Sequence, residues 1–382
     1  MAARPGVGLS WRGIGPAAVA VAAMVAGPFP VAAAARSDTT FAATIARLSE
    51  PGGFFWSDNL VSNETSYLHV LGALDRLGRR GGAYLGVGPE QNFSYIARLR
   101  PSVAIIIDIR RDNLLLHLLF KAIFEQADTR LEYLCGLYAR PCPADPGTWR
   151  RHPLERLIGY VDSVTTDSVF SARAQDRLLA RVAGFGVPIS ADEMATLARL
   201  HREFIVNGLS LTFSAYGRRP IAGFPTVREL YLGRDLEGQP ASFLATDDGY
   251  RVVRDLERAN RVIPVVGDLG GPYALKAIGE WLRGRQERLS YFYLSNVEFY
   301  LLRQQTFAQF VANVTALPHD RSSLLARSYF SVQTGLPHPQ QVAGHLSVQL
   351  LQTVAEFLDR TRDPAAANYW SLMTEGTIPL TP

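Results

Sequence analysis

Chemistry-bearing residues recur where an apolar, β-branched run gives way to a turn. Gly86-Val87-Gly88 follows Ala83-Tyr84-Leu85, and glycines there tolerate positive φ and let the backbone approach a ligand closely. Asp108 closes the run Val103-Ala104-Ile105-Ile106-Ile107, twenty residues after Gly88, where a carboxylate can accept hydrogen bonds from both hydroxyls of a ribose. Gly267-Asp268 closes Val262-Ile263-Pro264-Val265-Val266, and Ser295-Asn296 closes the run 289–294, with Glu298 just beyond. The glycine turn and the spaced Asp108 point to a bound nucleoside.

The residues after the turn narrow that class. A dinucleotide fingerprint has a third glycine there, so that a pyrophosphate rests on bare amides at a helix N-terminus. This chain has Pro89-Glu90-Gln91-Asn92-Phe93 instead, and an acidic Glu90 beside a bulky Gln91 crowds and repels a pyrophosphate. An adenosine bearing an ammonium and a sulfonium tolerates such neighbours, so S-adenosylmethionine is favoured over NAD. Arg110 and Arg111 keep NADP in view, because an arginine just past the acidic residue can hold a 2′-phosphate. Their alternative role is as surface charges at a helix start.

Strand ends can share a ligand only if the strands run parallel and finish at one edge. Apolar residues at helical spacing predict helices over 62–77, 93–99, 112–126, 272–285, 307–314 and 348–358, and a further strand over 324–330. Residues 129–260 are mostly helical, with loops at 141–143, 184–188 and 217–225. Alternating strands and helices, interrupted once by this excursion, predict an α/β fold: a Rossmann-like, mainly parallel sheet with helices on both faces and a long helical insertion between the second and third strands.

The segments Gly82 to Gly88, Ile105-Ile106-Ile107-Asp108 and Val265-Val266-Gly267-Asp268-Leu269 resemble the first, second and third motifs of class I S-adenosylmethionine-dependent methyltransferases. Tyr-Leu-Gly-Val-Gly-Pro-Glu-Gln-Asn-Phe from Tyr84, Asp-Ile-Arg-Arg-Asp-Asn from Asp108 and Phe-Tyr-Leu-Ser-Asn-Val-Glu from Phe292 look like an uncharacterised bacterial family with a methyltransferase-like fold. The resemblance spans residues 55–330. It implies that Gly86 and Gly88 lie under the methionine moiety, that Asp108 binds the ribose and Asp268 the adenine amino group, and that Asn296 and Glu298 line the transferred methyl. The Asp/Asn-Pro-Pro-Tyr motif of amino-methylating enzymes is missing, so methylation of a base or amide nitrogen is not supported. Methyl transfer from a sulfonium is an in-line displacement that rests largely on positioning. A base is needed only for a protonated acceptor, and Glu298, Glu64 or His69 could serve. Glu298 has a second reading as a structural partner of an arginine or a backbone amide, and His117, inside an apolar helix, reads as a hydrogen-bonded core residue.

Other chemistries are excluded by pattern. Neither Lys121 nor Lys276, the chain's two lysines, completes a phosphate-binding loop, and no Gly-x-Ser-x-Gly or His-Glu-x-x-His occurs. Asp235, Glu237, Asp247 and Asp248 match no calcium-loop spacing, so no metal site is expected. A net charge of +4, spread along 382 residues, gives no case for nucleic acid. A small molecule or a protein is the expected acceptor, and no apolar run after residue 35 is long enough to span a bilayer.

Residues 1–35 carry Arg4 and Arg12, no acidic residue and an Ala/Val-rich stretch ending at Ala33-Ala34-Ala35, the composition of a cleaved export signal. The mature domain is then 36–382, periplasmic or secreted; without cleavage it is cytoplasmic. Cys135 and Cys142 are spaced to close a small loop if the chain meets an oxidising compartment. Export conflicts with a cofactor made in the cytoplasm. The alternative to a methyltransferase is therefore an exported, non-catalytic ligand-binding protein using the same cleft.

Overall fold

Six strands pair into one sheet: β1 (Ala83–Val87), β2 (Val103–Asp108), β3 (Val262–Val266), β4 (Leu289–Tyr293), β5 (Leu324–Phe330) and β6 (Ser347–Thr353). Their order is β3-β2-β1-β4-β5-β6. All neighbours are parallel except β5 and β6, which run antiparallel from Leu324↔Thr353 to Phe330↔Ser347. The structure is a computed structural model describing Ala2, residues 39–216 and residues 222–381. Apart from Ala2, the export leader expected at 1–35 lies outside the described residues, as does part of the loop expected at 217–225.

The continuous apolar runs of β1, β2 and β3 are buried along their length, as strands covered on both faces must be. Helix Arg111–Gln126 is buried over nearly all of its circumference, from Asn113 to Phe124. A helix apolar all round needs neighbours all round. This one packs on β2 and β3 and also on helices Ser168–Ala183, Ala191–Asn207 and Asp247–Arg258 of the insertion. The insertion, which does run between β2 and β3, is thus moored through the helix that follows β2. Its helices begin at defined points: Thr129, Ser190 and Thr226 each form a capping box with a glutamate three residues on. Cys135 and Cys142 are joined by a disulfide, with Cα atoms 5.8 Å apart. Among the described residues no helix is long and apolar enough to cross a membrane.

Three local differences from the sequence pattern have physical causes. The helix expected over 62–77 is confined to Leu71–Arg76, because Ser62 Oγ accepts from the Glu64 amide in a tight turn and the Glu64 side chain is tied to Gln349 on β6. The stretch expected as a helix over 348–358 divides into β6 and helix Val354–Arg360. Antiparallel pairing of 347–353 with β5 decides it. A short helix, Val297–Arg303, follows β4 where none was expected.

Candidate functional site

Connections from β1 lead towards β2 and β3, whereas β4 and β5 lie on its other side; a crevice opens at such a reversal, beyond the carboxyl ends of the strands. A cavity of about 150 Å³ lies there, and Gly88, Asp108, Asp268 and Asn296 all line it, one from the end of each of β1 to β4. Glu64, Gln91, Arg110 and Ser295 complete its polar wall, and Phe54, Phe55, Trp56 and Tyr300 form an aromatic one. Gly86 and Glu298 are not among its lining residues.

Gly88 has φ +82°, which a residue with a Cβ adopts only under strain. Its carbonyl accepts from His117 Nε2 at 2.9 Å, and burial pushes the His117 pKa down to about 4, so the ring is a neutral core donor. Gly86 answers to a different need. A Cβ there would stand 2.1 Å from Asn92 Oδ1. Asn92, wholly buried, donates to the carbonyls of Val87, Gly88 and Pro89 at 2.9, 3.3 and 2.7 Å and accepts from Tyr84 Oη at 2.7 Å. The expectation that Gly86 opens space for a ligand is corrected: it makes room for the side chain that staples the turn.

Asp108 is claimed in part by the protein. Its Oδ1 accepts from the Arg110 amide at 2.9 Å and Nε at 3.0 Å, and its Oδ2 from the Arg110 terminal nitrogen at 2.8 Å. Arg110, itself buried, also donates to the carbonyls of Ser57 and Asp58, and Arg111 is paired with Glu193 at 2.7 Å. Both guanidiniums that kept a 2′-phosphate in view are engaged elsewhere. Asp268 Oδ1 accepts from the Gly270 amide at 2.8 Å, while its own amide donates to Glu50 at 2.7 Å.

Glu298 is withdrawn from the cavity. It lies with its Oε2 3.0 Å from Arg327 Nε, both side chains 1% exposed. The base role expected for it is therefore corrected to the structural one, partner of an arginine. His69 borders a separate cavity with Leu236 and Leu380 and packs edge-on against His345 at 4.5 Å. Of the three base candidates only Glu64 reaches the strand-end cavity. Its Oε1 accepts from Ser295 Oγ and its Oε2 from Gln349 Nε2 at 2.7 Å. Burial raises its pKa, and hydrogen bonds from Ser295 and Gln349 oppose the rise. Ser295 holds φ +52° at the end of β4, a conformation rare for a residue with a Cβ and one that clusters at functional sites.

A second, larger chamber of about 720 Å³ adjoins the first and shares Phe55, Trp56, Asn59, Asn63, Asn296 and Tyr300 with it. Phe55 stacks on Trp56 at 4.7 Å, and Tyr300 meets both edge-on at 5.6 and 5.5 Å. Motif reading passed over this wall. Its only sequence mark is the run Phe54-Phe55-Trp56 after Gly52-Gly53, aromatics in an irregular segment with no helical or strand period.

The fold and cavity define an α/β protein with a mostly parallel six-stranded sheet and a composite pocket at its strand ends. The chain belongs to the family described as a domain of unknown function (DUF7790), whose match covers residues 59–139 and 225–377. No curated protein matches it. The matched segments contain every lining residue of the inner chamber except Phe54, Phe55 and Trp56, whereas Phe213, Ala215 and Phe224 of the outer chamber fall between them.

Proposed function

We propose that this protein is a Rossmann-like, methyltransferase-like domain that binds S-adenosylmethionine by its nucleoside end in the inner chamber, with the methionine end at the junction of the two chambers, and an acceptor in the rest of the outer one. The observation that carries this reading is the convergence of Gly88, Asp108, Asp268 and Asn296, four strand ends far apart in sequence, on one cavity at the sheet's reversal point. The strand order β3-β2-β1-β4-β5 with an antiparallel edge strand supports the finer description of the fold.

Size and charge both bear on the fit. A cavity of 150 Å³ suits a single aromatic ring, so the inner chamber takes a base or a sugar but not a whole cofactor. Joined to the 720 Å³ chamber it falls within the range of cofactor sites. Glu64, Asp108 and Asp268 line the inner wall with Arg110, which is paired with Asp108, and this leaves an excess of carboxyl groups to face a ligand carrying ammonium and sulfonium charge. Gln91 lines the chamber, and its Oε1 is buried with no hydrogen-bond partner among the described residues. Asp108 Oδ2, with one donor from Arg110, has capacity for one ribose hydroxyl rather than two.

When bound, the cofactor supplies an electrophilic methyl group. Asp268 accepts the adenine amino protons, the Gly88 turn gives backbone clearance, and the aromatic wall excludes water. Glu64, in place of Glu298, holds or takes the acceptor's proton, with Ser295 Oγ as the hydroxyl between it and the chamber.

Isothermal titration of the full chain with S-adenosylmethionine and S-adenosylhomocysteine tests this. Saturable binding is expected, weakened tenfold or more in Asp268→Asn, about the value of a hydrogen bond to a charged group. No heat and no melting shift with either compound would sink the cofactor reading. The exported, non-catalytic binding protein is favoured by one observation, the Cys135–Cys142 disulfide, since such bonds persist in oxidising compartments. A mature N-terminus near Arg36 in an exported pool, together with failure to bind the two cofactor forms, would establish that reading instead.

A further inference from the structure

The outer chamber differs from the inner one in both shape and charge. Its wall is aromatic, with Trp56, Phe213, Phe224, Phe299 and Tyr300 around one space. Among the described residues no acidic side chain lines it, and its one charged lining residue is Arg303. The Arg303 guanidinium stands 5.3 Å from the Phe299 ring centroid and makes no ion pair among the described residues. A cation held only by a ring face keeps its in-plane donors for an anion. An aromatic wall favours a planar occupant that can stack or meet rings edge-on.

We infer that the outer chamber binds a planar aromatic acid, its ring against the Trp56–Tyr300 wall and its carboxylate or other anionic group on Arg303. The inference deepens the preceding one, and rests on it only for casting this occupant as the methyl acceptor. Charge follows the same division: acidic groups, one of them paired with Arg110, face the inner ligand, and Arg303, the one cation among the described lining residues, faces the outer one. Asn296 lies on both walls, at the junction where two ligands would meet. Arg303 is then the residue that selects acids over their neutral analogues.

The test uses the full chain with 2-naphthoate and its neutral isostere 2-naphthamide, followed by tryptophan fluorescence and calorimetry, with S-adenosylhomocysteine titrated separately. The acid is expected to bind at least tenfold more tightly than the amide in the wild type. In Arg303→Gln that ratio should fall below twofold while affinity for S-adenosylhomocysteine is unchanged. Equal binding of acid and amide by the wild type, binding of neither, or a ratio that survives in Arg303→Gln would overturn the inference. Should Arg303→Gln fail to fold, the wild-type ratio decides by itself. Acid selectivity without any S-adenosyl binding would leave this inference standing and remove the cofactor reading, and the converse would do the opposite.

Discussion

Asp108 illustrates how a residue can stand in the expected place with part of its bonding capacity already used. Its carboxylate lines the cavity, yet three donors from Arg110 reach it, and Arg110 in turn ties the Ser57–Asp58 segment to the end of β2. Removing one member of a buried ion pair leaves the other charged and desolvated, a loss of about 3–5 kcal/mol. Asp108→Ala should therefore lower the melting temperature and loosen the segment carrying Phe54, Phe55 and Trp56, so that loss of ligand binding would come with loss of stability, on top of the one ribose contact removed. Asp268→Asn keeps its shape and its backbone hydrogen bond, and should weaken ligand binding with the melting temperature held within about 2 °C. Comparing the two by differential scanning calorimetry and titration separates support from contact; an Asp108→Ala protein as stable as the wild type would refute the supporting role. Gly86 and Gly88 divide in the same way, one serving Asn92 and the other the turn itself.

At the scale of elements, the parallel part of the sheet was legible because β1, β2 and β3 are short runs, apolar on both faces and ending in turn residues, a pattern that fits a doubly covered strand. β6 was not legible. Val348, Leu351 and Val354 are spaced as a helix face would be, and Gln349 and Gln352 read as its exposed side. In the fold both glutamines are buried, Gln349 donating to Glu64 and Gln352 accepting from Arg327 at 2.9 Å. Partners hundreds of positions away, or on the neighbouring strand, carry no local period, which is why polar residues inside a sheet mislead a reading by pattern. The same network explains Glu298, which sits at the start of helix Val297–Arg303 and meets Arg327 of β5. Glu298→Gln leaves the Arg327 charge without its counter-ion, so a destabilisation of about 3 kcal/mol is expected with ligand affinity changed less than twofold. A catalytic Glu298 would give the opposite result, normal stability with activity or affinity lost, and denaturant unfolding beside titration tells the two apart.

Across the whole molecule, buried titratable groups set a pH dependence whose sign can be worked out. Burial lowers the pKa of His69, His117 and His201 to about 4 each, and raises those of Glu90 and Glu257 to about 7 and about 8. The depressed histidines bind protons only in the unfolded chain between pH 4 and their ordinary 6.5, so through that window they make stability rise with pH. The raised glutamates hold protons only in the folded chain from their ordinary 4.5 upward. Their contribution is complete at low pH and is lost as pH climbs through 7 to 8. Above pH 6.5 the histidines are neutral in both states, while Glu90 and Glu257, together with Glu64 and Glu298, which burial also raises, make stability decline with pH. Glu90 gives the cleaner test. Its Oε2 accepts from Tyr231 Oη at 2.7 Å and its Oε1 has no partner, whereas Glu257 lies near Lys121. A shift from 4.5 to about 7 corresponds to about 3 kcal/mol between the two limits. Glu90→Gln keeps the neutral shape and removes the titration. Because the unfolded chain already loses its proton from 4.5 upward, more than half of that difference is gone by pH 6. Unfolding free energy measured from pH 6 to 9 should therefore fall by about 1.4 kcal/mol less than in the wild type. Parallel curves for the two proteins would mean that Glu90 is already ionised at pH 6, and that the core beside the strand-end cavity admits charge more readily than its burial implies.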